Sequence, residues 1–424
     1  MKQGLLLPEW HHHANVGGME LIHVRRPADA AAVVHVVYRV GTADDPAAQV
    51  GLSHFLEHMM FQGSPLHPGT SFSQAIRDVG GHNNAFTTYD MTVYTSTVPL
   101  EWLPRLLAME ADRMRALTLE PSLVLKEQQV IHAERLSMLE NHPMGMAWEA
   151  SLRHLYTHHP YGIPPIGYPH HIEAYDRESL LAHHRAWYGP QHATLLVAAD
   201  MPTEELEHKV AVAFADQPMG LVRPRLRPVE PERHHGWTME VRHPRVTMRE
   251  VSWYTRAPAW QVPDDGYYAA WNCLVHMISG HDASMVLEAM VREERVALSM
   301  GCGVDFLLDP GYFHCSWTVA EGVEVARLED AWRGHVRRLR GEDFPYEAFE
   351  QARQDLLARF AFLLDSRTHY LSMFHRMALG ATPWMIASYP DRLASLTAED
   401  IMEAARVLLP TEPSGRICTV PLGD

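Results

Sequence analysis

Cysteine is scarce in this 424-residue chain: Cys273, Cys302, Cys315 and Cys418 are all there is, with no CxxC spacing. Such a set suggests neither a disulfide scaffold nor a thiolate zinc site. Long apolar runs are missing as well. No stretch reaches 18 residues, and Leu5 to Leu7 is cut short by Pro8 and Glu9, too soon for a secretory h-region. No membrane partner is expected, and the expected location is the cytoplasm, with the periplasm left open. Positive charge is in deficit, with 36 Lys and Arg against 52 Asp and Glu, a formal net charge of −16. A duplex nucleic acid needs an electropositive face, so none is expected as a partner. What the chain does have is apolar material: 46% hydrophobic residues are enough for a sizeable core and exclude disorder throughout.

The length predicts more than one domain. An internal repeat says how they are related. Val24-Arg25-Arg26-Pro27 returns as Val241-Arg242-His243-Pro244, and Arg39 as Arg256, both at an offset of 217. Leu56-Glu57-His58-Met59 then returns as Leu274-Val275-His276-Met277 at an offset of 218. Between the copies, Pro218, Pro224, Pro228 and Pro231 alternate with Arg223, Arg225 and Arg227. Prolines at that density stop both helix and central strand, so the segment reads as an extended linker. The expected division is 1–216, a linker over 217–235, and 236–424.

Within the first domain, Val33 to Tyr38 is a β-branched strand run, and Gly51 to Phe61 carries apolar residues at helical spacing. Phe72 to Val79 predicts a helix closed by Gly80-Gly81, followed by strands over 84–88 and 91–97. Helices are predicted over 103–114, 123–139 and 176–187, and a strand over 193–198. The second domain repeats the plan more loosely, with a strand near 251–255 and helices over 265–277, 284–294, 345–363 and 398–407. Strands at both ends of a helical middle predict an α+β fold, each domain a mainly antiparallel sheet packed against helices.

His54 and His58 lie four apart in the predicted helix 51–61, on one face, so both imidazoles can reach one ion. Glu57 stands beside them, placed to take a proton from a water held there. Two imidazoles and a carboxylate with one open position form a common catalytic zinc set. The pattern is the inverted form of HExxH. Composition alone gives HxxEH somewhere with a probability of roughly 0.15, so a third ligand is needed. Glu134, 76 residues beyond His58, is the candidate, and Glu127, two turns earlier on the same helix, is placed to orient a ligand or raise its basicity, against the plainer reading of a solvated acidic face.

These residues carry a resemblance. Gly51-Leu52-Ser53-His54-Phe55-Leu56-Glu57-His58-Met59-Met60-Phe61-Gln62-Gly63 resembles the active-site helix of the pitrilysin-like (M16) zinc metallopeptidases. Gly80-Gly81-His82-Asn83-Asn84-Ala85-Phe86-Thr87, with Asp90, Thr92 and Tyr94, resembles the GGxxNAxT segment that follows it in that family. Glu127 to Arg135 is similar to the distal-Glu helix. The resemblance implies one zinc per chain held by His54, His58 and Glu134, with Glu57 as base and Glu127 as the additional active-site carboxylate. It also implies peptide substrates paired along Asn84 and Ala85. Phe86 extends that candidate edge, and Phe55 is a candidate for the wall of an apolar side pocket, or simply core.

The same family uses an Arg and, seven residues on, a Tyr to hold substrate and developing oxyanion. Here Arg292 is present, but Ser299 stands in the tyrosine position and Val296 replaces the usual glycine. A complete metal site with an incomplete oxyanion partner implies the catalytic subunit of a heterodimer whose second chain supplies the Arg/Tyr pair. A homodimer using Tyr312 or Tyr254 is the alternative. In the second domain Asn272 and Val275 replace His54 and Glu57, and no metal is expected there. His11-His12-His13 reads as a flexible surface turn. Two other functions stay open: a non-enzymatic peptide-binding or assembly subunit, and a zinc hydrolase of non-peptide substrates.

Overall fold

The computed structural model describes residues 8–218, 224–231, 236–260, 266–409 and 411–423. Arg223 and the His234-His235 pair lie outside the described residues. The chain divides into two compact units. The first takes the chain to Arg135, then Ile163–Pro228 and Leu363–Pro383; the second takes Leu136–Gly162, Val229–Phe362 and Trp384–Asp424. A single cut at the linker therefore does not separate them: 136–162 packs with the second sheet and 363–383 with the first.

Among the described residues the first unit holds six strands: β1 (Trp10–Val16), β2 (Met19–Arg25), β3 (Ala31–Tyr38), β4 (His82–Thr87), β5 (Thr92–Pro99) and β6 (Ala193–Ala199). Their order across the sheet is β1-β2-β6-β3-β5-β4. Only β2 and β6 run parallel. The second unit's strands are β7 (Trp237–His243), β8 (Glu250–Arg256), β9 (Ala297–Asp305), β10 (Tyr312–Val319) and β11 (Gly415–Pro421), in the order β7-β11-β8-β10-β9. Again one pair, β7 and β11, is parallel. Strand for strand the second sheet repeats the first without β1, so the faint sequence repeat marks a repeated topology.

Burial explains the strand patterns. β3 and β6 are central and covered on both faces, so they read as nearly unbroken apolar runs. β4 closes the sheet and alternates exposed with half-buried residues. His11-His12-His13 is not a flexible turn: it is the middle of β1, paired antiparallel with β2, where backbone pairing overrides the weak strand preference of histidine.

The helices that matter for the site are α1 (Leu52–Met59), α2 (Ser71–Asp78), α3 (Leu103–Arg115) and α4 (Pro121–Arg135). α1 buries Leu52, Phe55, Leu56 and Met59, the face its spacing predicts. Its start is fixed by Gly51 at φ 99°, where a Cβ would sit 2.5 Å from the Tyr175 hydroxyl. The Asp45 carboxylate accepts from the Gly51 and Ser53 amides and so caps the helix. In the second unit Cys302 and Cys315 face each other across β9 and β10, with Cα atoms 4.2 Å apart, and form a disulfide. That corrects the expectation from spacing, which cannot see a cross-strand neighbour.

Candidate active site

α1 and α4 of the first unit bring the predicted ligands together. His54 Nε2 lies 3.8 Å from Glu134 Oε1, and His58 Nε2 lies 3.6 Å from Glu134 Oε2. The three ligand atoms all fall within 4.8 Å of one another. Glu134 Oε2 is buried without a hydrogen-bond partner, which is a cost unless a cation completes it. His58 Nδ1 donates to Glu127 Oε1 at 2.8 Å, and that fixes the tautomer whose Nε2 lone pair faces Glu134. Burial, and then the charge of His58, push the His54 imidazole down to about 3, so it is neutral with a lone pair to offer. Two imidazole nitrogens and one carboxylate, close and short of a partner, fit a zinc ion.

Glu127 is held through both oxygens and Glu57 through one. Gln62 Nε2 donates to Glu127 Oε2 at 3.1 Å, leaving Oε1 for His58. The Thr87 hydroxyl donates to Glu57 Oε2 at 2.6 Å. Burial raises the Glu57 carboxyl above its ordinary value; the Thr87 bond and the His58 charge oppose that, and Glu134 adds to it. Burial of His58 works against its charge, but the Glu127 bond and the charges of Glu57, Glu134 and Glu127 outweigh it and leave the pKa raised. Gln62 and Thr87 lie inside the motifs read from the sequence, yet motif matching assigned them no partner.

Ser53, His183 and Asp45 also meet, and the trio has the composition of a nucleophilic triad. Ser53 is fully buried, and its hydroxyl donates to Asp45 Oδ1 at 2.6 Å while His183 Nε2 lies 2.9 Å away. No substrate reaches that oxygen. The trio anchors the start of α1.

The substrate-side residues are placed less uniformly. Phe55 is 0% exposed and packs on the Tyr175 ring, so it is core and not the wall of a pocket. Phe86 projects from the face of β4 opposite Thr87, and its ring meets His375 at 5.8 Å. Asn84 is exposed and Ala85 half-buried on the same strand. The Thr88 amide donates to the Met91 carbonyl, closing a two-residue turn. Counting back from that pair, the main-chain groups of Asn84 and Phe86 point to β5, whereas those of Ala85 and Thr87 point to the open edge. Arg292 belongs to the second unit, exposed on the turn Ala289–Glu293 and paired with Glu288 at 3.4 Å.

Two tyrosines weighed as replacements for the missing one are not free. Tyr312 is 4% exposed and its hydroxyl accepts from Trp148 Nε1, and Tyr254 is equally buried. Ser299 lies on β9 with its hydroxyl bonded to Thr318. A second group, His276, His281 and Asp355, also converges in the second unit. There the Ala283 amide donates to His281 Nδ1, which puts the ring proton on Nε2, 3.2 Å from Asp355. With its Nδ1 accepting from Ala283 and its proton on Nε2, His281 offers no lone pair to a metal on the Asp355 side.

The sequence matches the model of the insulinase family, peptidase family M16, over residues 21–167, and that of the M16 inactive domain over 174–356. It is 30% identical to an uncharacterised zinc protease of Mycobacterium bovis, over 70% of this chain and 67% of that protein. This chain belongs to peptidase family M16. A zinc protease of Helicobacter pylori, PqqE, is 26% identical over 62% of this chain, a stretch spanning 59% of that protein. Among solved structures, a Helicobacter pylori protease superposes with a TM-score of 0.90 at 21% identity, covering 98% of this chain and 100% of the other. Pitrilysin superposes with a TM-score of 0.73 at 16% identity, but there the M16 chain covers only 46% of the larger molecule. These likenesses establish the fold, two M16-like α+β domains. The site in the first unit has the residues of zinc-dependent endopeptidase chemistry.

Proposed function

We propose that this chain is the catalytic subunit of a zinc endopeptidase that takes peptides or unfolded segments in extended form. The observation that carries the reading is the convergence of His54, His58 and Glu134 with Glu57 held beside them. When bound, zinc supplies a Lewis acid for a scissile carbonyl and a water acidic enough to attack at neutral pH. The chain's own residues do the rest. His54 presents a neutral nitrogen, Glu127 holds a proton on His58 Nδ1 so that Nε2 is the nitrogen zinc would take in place of a proton, and Glu57 Oε1 stays free to take the proton of the attacking water and pass it to the leaving amine.

The open edge of β4 supports a peptide over other hydrolase substrates. Ala85 and Thr87 turn their main-chain donors and acceptors outward, which suits an added strand. Intact ligands and base argue against a merely structural role. The second chain is part of the same reading. Ser299 stands in the tyrosine position and Tyr254 and Tyr312 are buried, so none of these three offers a hydroxyl to the oxyanion, and the fold fills about half of pitrilysin. A homologous partner supplying an Arg/Tyr pair fits the missing tyrosine better than a homodimer, whose second copy would bring Ser299 again.

Glu57→Gln is expected to keep zinc and lose at least 100-fold in turnover of a mixed peptide library. Glu134→Gln is expected to lose zinc as well, by metal analysis after dialysis. The purified chain alone should be slow, and a homologous partner should raise its turnover roughly 100-fold or more, the worth of an oxyanion donor. Full activity of the isolated chain would remove the two-chain part of the reading and leave the peptidase part standing.

A further inference from the structure

Thr87 is the one residue that joins the substrate edge to the base. Its main-chain groups point outward from β4 by the alternation set at Thr88, and its hydroxyl donates to Glu57 Oε2 at 2.6 Å. That distance is short for two oxygens and marks a charge-assisted bond. Its proton goes to Glu57, because a carboxylate oxygen can only accept and lies 2.6 Å away, whereas the Thr92 hydroxyl, itself donating to the Val40 carbonyl, is 3.5 Å off.

Glu57 has no other side-chain anchor among the described residues' hydrogen bonds. Its carboxylate can turn about its last torsion, a broad twofold well. With Oε2 tied to Thr87, Oε1 is the oxygen left for the proton of the attacking water. Without that tie the same carboxylate samples orientations in which neither oxygen is placed for it.

We propose that Thr87 is a positioning residue for Glu57, and that a peptide pairing along β4 settles the base through it. The inference rests on the peptidase reading and adds a specific link between strand pairing and proton transfer. A peptide that pairs with the Thr87 main chain restrains the strand that holds the base, so binding and orientation are coupled at one residue. Short substrates that stop before this position gain less from the coupling.

Thr87→Val keeps the shape and β-branching and removes only the hydroxyl; Thr87→Ser keeps the hydroxyl. The expected result for Thr87→Val is a 10- to 100-fold fall in kcat with KM within twofold, zinc content of one per chain as in the parent, and an unchanged unfolding midpoint. Thr87→Ser should return kcat to within threefold of the parent. A peptide hydroxamate gives a readout that needs no turnover, because its hydroxyl proton is shared with the base. Its affinity by calorimetry should fall about tenfold in Thr87→Val and recover in Thr87→Ser. Unchanged kcat and hydroxamate affinity in Thr87→Val would overturn the inference, as would a Thr87→Ser variant as impaired as the valine. A parent that binds zinc yet is inactive both alone and with the homologous partner would instead overturn the peptidase reading on which it rests.

Discussion

Glu127 shows how a residue can matter to a metal site without touching the metal. Its Oε1 accepts the His58 Nδ1 proton and its Oε2 accepts from Gln62, so the ring is held in one tautomer and one orientation. Partners of this kind set ligand basicity, and their loss typically costs 10- to 100-fold in metal affinity. Glu127→Gln should therefore bind zinc 10- to 100-fold more weakly in a chelator competition, while circular dichroism and unfolding midpoint stay near the parent's. The role was half legible. The two-turn spacing to Glu134 put both carboxylates on one face of a helix and suggested Glu127 as the one that orients a ligand, but which ring nitrogen it meets is set by how α4 packs on α1, which no local spacing shows. Phe55 was the converse case: a motif residue beside a ligand suggested contact with substrate, and helical spacing alone turned it into the core, where it is 0% exposed.

At the scale of elements, the linker is the segment whose composition said least about its work. Its prolines correctly predicted the lack of helix and strand over 224–231. They did not predict that Arg227 would be nearly buried, 2.9 Å from Asp44 and 2.6 Å from Asp90, both themselves almost inaccessible. Arg225 adds a bond to the Asp90 carbonyl. Asp44 precedes the capping Asp45, and Asp90 lies in the β4–β5 turn, so the linker clamps the approaches to both the ligand helix and the substrate edge. Removing one member of a buried ion pair strands the others and costs about 3–5 kcal/mol. Arg227→Met should lower stability by about that much in urea unfolding, and adding Asp44→Asn and Asp90→Asn should recover part of it. Elements with a clear period or a β-branched run, such as α1, β3 and β6, were legible because their own residues decide them. β1 was not, because its strand state comes from pairing with β2 and not from Trp10 to Val16 themselves.

The whole molecule is less separable than two tandem copies suggest, because the first unit's sheet is finished by chain from near the other end. Residues 363–383 belong to that unit, and His375 lies 3.0 Å from His35 at the centre of β3, 340 residues earlier. Both rings are buried, His35 completely, and burial pushes His375 down to about 4. Burial, with the neighbouring ring second, pushes His35 to about 3. The unfolded chain protonates both near 6.5. Between pH 6.5 and about 4 the unfolded state therefore holds protons that the folded state refuses, and stability falls as pH falls through that window. Replacing both partners with apolar residues of similar shape, His35→Val with His375→Phe, removes the mismatch without stranding either ring. In zinc-free protein the double variant should lose less stability than the parent between pH 6.5 and 4, and should take up about two fewer protons on unfolding at pH 5. Parallel stability curves for the two proteins across that range would show that the pair does not titrate on unfolding.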